Sequence, residues 1–129
     1  MLLLDTCTLL WWATGDPQVP KRVSERLRDP DEHVFLSSVS AWEICVKYSL
    51  GKLPLPLPPD EYVPDLRRRL SIETLPLEET DVLRLTKLPP LHRDPFDRML
   101  VAQAVSRGLT LVTPDPAVRA YPCATWWGA

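Results

Sequence analysis

A chain of 129 residues is long enough for one hydrophobic core and too short for two, so a single domain over 1–129 is expected. Hydrophobic residues make up 45% and charged residues 25%, and no apolar run approaches the roughly 20 residues that a membrane-spanning helix needs, so a soluble cytoplasmic protein is expected. A net charge of −2 excludes a general polyanion binder, so a nucleic-acid partner would need a local basic patch, for which Arg67-Arg68-Arg69 is the only run.

Leu2-Leu3-Leu4 reads as a short buried strand. Met1 to Leu4 is not expected to act as a signal peptide, since a basic start is missing and Asp5 cuts the apolar stretch short. A helix through Thr8–Ala13 follows and breaks at Gly15-Asp16-Pro17. Pro20 fits the first turn of a helix over Pro20–Arg28. His33–Leu36 is a second strand, and Ser37–Leu50 a helix stopped by Gly51. Pro54–Pro59 is a proline-rich loop. A helix through Glu61–Leu70 leads to a strand at Ile72–Leu75. Glu78–Thr86 is helical up to the break at Pro89-Pro90. Pro95–Arg107 is a helix stopped by Gly108, Leu109–Thr113 a strand, Asp115-Pro116 a turn, and Ala124–Trp127 an edge strand. Strands alternate with helices throughout, which predicts an α/β fold with a parallel sheet and helices on both faces.

Cys7, Cys45 and Cys123 are odd in number and form no CxxC pair, which argues against a disulfide framework or a zinc knuckle. Their apolar neighbours predict small core residues. The five tryptophans include the pairs Trp11-Trp12 and Trp126-Trp127, which either fill the core or line a contact surface.

Four carboxylates stand where such a fold would gather them. Asp5 ends the first strand, and Thr6 is available to cap the helix behind it, which leaves Asp5 free for function. Glu43 lies in the apolar helix SVSAWEICVKY. Ser40 and Glu43 have capping-box spacing, but Ser37 and Ser38 offer earlier caps. A helix apolar on nearly all sides is buried, so Glu43 needs a partner, either Lys47 one turn on or a cation. Asp94 and Asp97 open the helix in HRDPFDRML, where cap and helix-dipole roles account for each of them alone. Asp115 alone reads as a turn residue between prolines. In open parallel sheets, ligands bind beyond the carboxyl ends of the strands, and there Asp5 and Asp115 lie. Converged carboxylates are costly unless a cation neutralises them, and oxygen-only clusters suit Mg²⁺ or Mn²⁺. A metal-dependent enzyme acting on phosphate esters is therefore the leading expectation.

Other chemistries find no motif. GxxxxGK[ST], GxGxxG and GxSxG are absent. His33 and His92 lack metal-ligand spacing, and His92 reads as a loop residue within reach of a phosphate.

The pieces LLLDTCTLLWW, LSSVSAWEICVKYSLGKL, LHRDPFDRMLVAQA and LTLVTPDPAVRAYP, in this order, resemble PIN-domain nucleases. The resemblance is greatest to the ribonuclease toxins of VapBC-type toxin–antitoxin systems, and it spans nearly the whole chain. It implies a three-layer α/β/α fold with a central parallel sheet of four to five strands. It also implies a Mg²⁺-dependent endoribonuclease, with Mn²⁺ as a substitute, inhibited by a small antitoxin protein and usually a homodimer. Asp5, Glu43 and Asp97 match the three core acidic positions as metal ligands. Asp115 matches the fourth, to hold a second metal or position water, and Asp94 belongs to the DPFDR form as a possible further ligand. The family often has His where this chain has Cys7. Two alternatives stay open. A phosphatase or phosphotransfer domain would need a Lys after Leu109–Thr113, where there is none, and a DxD pattern that DTCT lacks. A non-catalytic module would use the acidic pocket to hold a partner's Arg.

Overall fold

The computed structural model describes residues 1–128. Five parallel strands form one sheet: β1 (Leu2–Leu4), β2 (Val34–Ser37), β3 (Glu73–Leu75), β4 (Thr110–Val112) and β5 (Thr125–Trp126), in the order β3-β2-β1-β4-β5. The connections carry α1 (Thr6–Ala13), α2 (Lys21–Leu27), α3 (Ser38–Ser49), α4 (Pro59–Leu70), α5 (Glu79–Leu83), a 3₁₀ turn (Arg84–Lys87), α6 (Pro95–Arg107) and α7 (Pro116–Arg119). This is the expected three-layer α/β/α architecture.

The two-residue period of a strand divides the core. Leu2 and Leu4 of β1 pack with Leu9, Val23, Leu27 and Leu66 from α1, α2 and α4. Leu3 points the other way, against Val39, Leu100, Val101, Leu111 and Val118. β1 lies at the centre of the sheet, so its three leucines are fully buried on both faces.

Several boundaries move for identifiable reasons. α1 begins at Thr6, not Thr8, because Asp5 itself caps it. α4 begins at Pro59, since proline suits the first helical position. The Glu78–Thr86 helix divides into α5 and the 3₁₀ turn.

Two side-chain expectations are also corrected. The cysteines are not core residues: Cys7 and Cys45 are exposed and Cys123 is half-buried. α3 turns Val39, Ser40, Glu43 and Ile44 inward, which leaves Cys45 and Trp42 outside, so this helix is not buried on all sides. The arginine run is engaged locally. Arg67 donates to the Leu36 and Glu73 carbonyls and ties α4 to β2 and β3, while Arg68 and Arg69 both pair with Asp65.

The paired tryptophans belong to the core: Trp12 is buried, Trp127 and Trp126 pack against the core, and Trp11 meets Trp127 edge to face at 6.4 Å. The Arg26 guanidinium covers the Trp126 ring at 4.6 Å. Among the described residues, no helix is long and apolar enough to cross a membrane.

Candidate functional site

The carboxyl ends of β1, β2 and β4 face the amino end of α6, and the predicted acids gather there. Asp5 follows β1 and is buried. Its Oδ1 accepts from the backbone N–H groups of Cys7 (2.7 Å) and Thr8 (3.3 Å), and its Oδ2 from the Thr113 hydroxyl (2.6 Å). Capping and membership of the acidic cluster therefore coexist in one side chain. Thr6, expected as the cap, instead donates to the Ser40 hydroxyl at 2.8 Å. Burial raises the Asp5 pKa, Thr113, Thr8 and Cys7 oppose it, and the charge of Glu43 adds to the rise.

Glu43 reaches the same place from α3. The capping box with Ser40 does not form, because Ser37 caps this helix by accepting from Val39 N at 3.0 Å. Glu43 thus stands in the helix interior, buried, with Lys47 Nζ donating to its Oε2. Its Oε1 is buried with no hydrogen-bond partner. Burial lowers the Lys47 pKa, but its bond to Glu43 and the charges of Glu43, Asp94 and Asp97 raise it on balance.

Asp94 caps α6 by accepting from Phe96 N at 2.9 Å, and Asp97 sits in the first turn. The Asp97 carboxyl is pushed up to about 7, first by burial, then by the charges of Asp94, Asp5 and Glu43, with His92 opposing. Asp115 caps α7 by accepting from Ala117 N at 2.9 Å. The Cys7 thiol is pushed up to about 11 by burial and by the charges of Asp5 and Glu43, so it stays protonated at neutral pH.

Two further residues enter the site. Thr113 is buried, donates to Asp5 and accepts from Asp115 N at 3.1 Å, so it joins two of the acids. His92 lies in a loop, as expected, but its ring stands between acids: Nε2 is 3.1 Å from Asp97 Oδ2 and 3.3 Å from Asp115 Oδ2. The one sequence signal for His92 is its place five residues before Asp97. Thr113 had none beyond its position at the end of β4.

A cavity of about 550 Å³ lies at the amino ends of the strands, lined by Trp12, Leu27, His33, Arg69 and Glu73 among others. There His33 pairs with Glu73, and Arg69 pairs with Asp65 outside the lining.

The PIN domain matches residues 2–122 of this chain. The chain belongs to the PIN-domain family. Ribonuclease VapC16 of Mycobacterium tuberculosis is 44% identical over 52 residues, 40% of this chain and 37% of that relative, so the match spans little more than a third of the relative's length. Ribonuclease VapC22 of the same organism is 23% identical over 130 residues, covering 97% of this chain and 98% of the relative. Among solved structures, DNA-bound VapBC from Salmonella typhimurium matches with a TM-score of 0.68 at 21% identity, covering 96% of this chain and 94% of that one.

The donor set of this PIN domain fits a hard divalent cation. It is built of carboxylate oxygens. The buried, unpartnered Glu43 Oε1 and the raised Asp97 pKa are the two signs of uncompensated negative charge.

Proposed function

We propose that this PIN domain is a Mg²⁺-dependent endoribonuclease, with Mn²⁺ as an alternative ion, and the toxin of a VapBC-type toxin–antitoxin pair. The observation that carries the metal reading is Glu43 Oε1, an acceptor buried among carboxylates with nothing to accept from. The ribonuclease names of the two relatives and the VapBC neighbour support the substrate class and the partner. Asp5, Glu43 and Asp97 would hold the cation, with Asp115 beside them to hold a second ion or orient water and Asp94 as a possible further ligand. A bound divalent ion lowers the pKa of its water and offsets the charge that grows on the phosphate.

The residues of the chain do the rest. Thr113 and the amino end of α1 fix the Asp5 carboxylate in one orientation. Lys47 screens Glu43 on one oxygen and leaves the other buried with no hydrogen-bond partner. With its ordinary value lifted to about 7, Asp97 is poised to exchange a proton near neutral pH unless a cation holds it ionised. In the same reading, a cognate antitoxin silences the site by placing an Arg among these acids. The chain works as a homodimer, for which the exposed Trp42 on α3, edge to face with Phe96 at 4.8 Å, offers contact area.

The test is cleavage of structured RNA by the purified chain, free of any antitoxin. Cleavage is expected with Mg²⁺ or Mn²⁺, to stop with EDTA, and to be abolished in Asp5→Asn and Asp97→Asn while both variants keep their circular dichroism. Full cleavage in EDTA, or by either variant, would refute the reading.

A further inference from the structure

Lys47 stands one helical turn after Glu43 on α3, and its Nζ donates to Glu43 Oε2. The two partners differ in what they show to solvent. The Glu43 side chain is 5% exposed and that of Lys47 is 43% exposed, so the lysine is the partner that a ligand reaches from outside. An ammonium carries more N–H donors than this one bond uses, and Glu43 is its hydrogen-bond partner among the described residues. Donors are therefore left over on a group that water reaches.

Charge singles out the same residue. Asp5, Glu43, Asp94, Asp97 and Asp115 lie at this end of the sheet, and among the described residues Lys47 is the one Lys or Arg that pairs with any of them. The charges of Asp94 and Asp97 act on it as well as that of Glu43. A phosphodiester brought into this acidic surround is repelled unless cations meet it, and Lys47 is the cation that the chain itself supplies. A counter-ion serving Glu43 alone would gain from being buried with it, because solvent screens a half-exposed charge.

We propose that Lys47 binds a phosphate of the RNA substrate while it keeps its bond to Glu43, which makes it a substrate-contact residue of the nuclease. This rests on the ribonuclease reading above and adds the side chain that meets the substrate backbone. Lysine serves a phosphate as a compact point charge. The contact therefore contributes affinity that falls with salt and carries no sequence preference.

The test is the salt dependence of RNA binding, read by fluorescence anisotropy with a labelled single-stranded RNA of mixed sequence at constant Mg²⁺. The full chain carries Asp97→Asn throughout, so that the RNA is bound and not cut. Adding Lys47→Gln removes the charge and keeps an N–H for Glu43. It is expected to weaken binding and to make the plot of log affinity against log salt shallower by about 0.7, the loss of one single-strand phosphate contact. Lys47→Arg is expected to keep the slope. Lys21→Gln, the same loss of charge on the exposed side of α2, is expected to keep it as well. A counter-ion for Glu43 alone would lower the melting temperature of Lys47→Gln and leave its slope unchanged, and that result would overturn the proposal. An equal change in Lys21→Gln would also overturn it, since net charge would then explain the effect. If Lys47→Gln does not fold, protection decides: RNA should slow reductive methylation of Lys47 but not of Lys21, and equal Lys47 rates with and without RNA would sink the assignment. No RNA binding by the Asp97→Asn chain itself would instead refute the ribonuclease reading, which separates the two failures.

Discussion

Asp97 ties the pH behaviour of the metal-free protein to the geometry of one carboxylate. The ordinary value of 3.8 describes the unfolded chain, and burial among Asp94, Asp5 and Glu43 raises it to about 7 on folding. Between those values the folded state binds more protons than the unfolded one, so stability falls as pH rises. The contribution is complete below about pH 4 and lost above about pH 7. Asp5 is raised as well and acts with the same sign. In EDTA, the melting temperature should therefore be lower at pH 8 than at pH 5, by several degrees. Asp97→Asn should flatten that difference and raise the pH 8 value; calorimetry at the two pH values checks both. At this scale the sequence was informative about acids and poor about their partners. Asp5 and Glu43 stood out because a charge at a strand end or in an apolar helix demands compensation, whereas Asp97 and Asp115, which a helix start and a turn explain alone, stood out only in combination. Thr113 was not, since it meets Asp5 across 108 residues of sequence and only strand order brings them together. The contact of His92 with two acids was not legible for a similar reason: those acids come from the start of α6 and the cap of α7.

Elements are held by a few local devices that can be tested singly. α4 ends at Ser71, a non-glycine residue with φ of 54°, in the left-handed region. That conformation strains a residue with a Cβ, and glycine removes the strain. Ser71→Gly should raise stability by about 0.5–1 kcal/mol, read as a higher urea midpoint with an unchanged slope. α5 relies on Asp81, which is fully buried, completes a capping box with Glu78 and pairs with Arg107 of α6 at 3.2 Å. Burial works against the Asp81 charge, but the bonds from Arg107 and Glu78 N hold its pKa below the usual range. Its contribution is therefore present above about pH 4 and lost at more acid values, a window below that of Asp97. Asp81→Ala should cost at least the roughly 1 kcal/mol of a lost cap and loosen α5, visible as faster amide exchange there. Element existence was largely legible because Gly51, Gly108 and the prolines punctuate the chain. The split of Glu78–Thr86 was not, since the packing of α5 and the 3₁₀ turn against α6 is a tertiary effect.

At the scale of the whole molecule, the fold gathers the charges and leaves part of them unbalanced. A parallel sheet with β1 at its centre sends Asp5, the residues after β4 and the start of α3 to one end. The alternation of strands and helices made that arrangement legible before any coordinates. A ligand that binds only the folded state stabilises it by about 2.7 kcal/mol at a hundredfold excess over its dissociation constant. Saturating Mn²⁺ should therefore raise the melting temperature by several degrees, and Asp5→Asn should weaken the effect. The most direct measurement of the central claim is anomalous diffraction from a crystal of the chain soaked in Mn²⁺. A peak is predicted within coordination distance of Asp5, Glu43 and Asp97, with Glu43 Oε1 as a ligand. A fully soaked crystal with no peak among these carboxylates would contradict it.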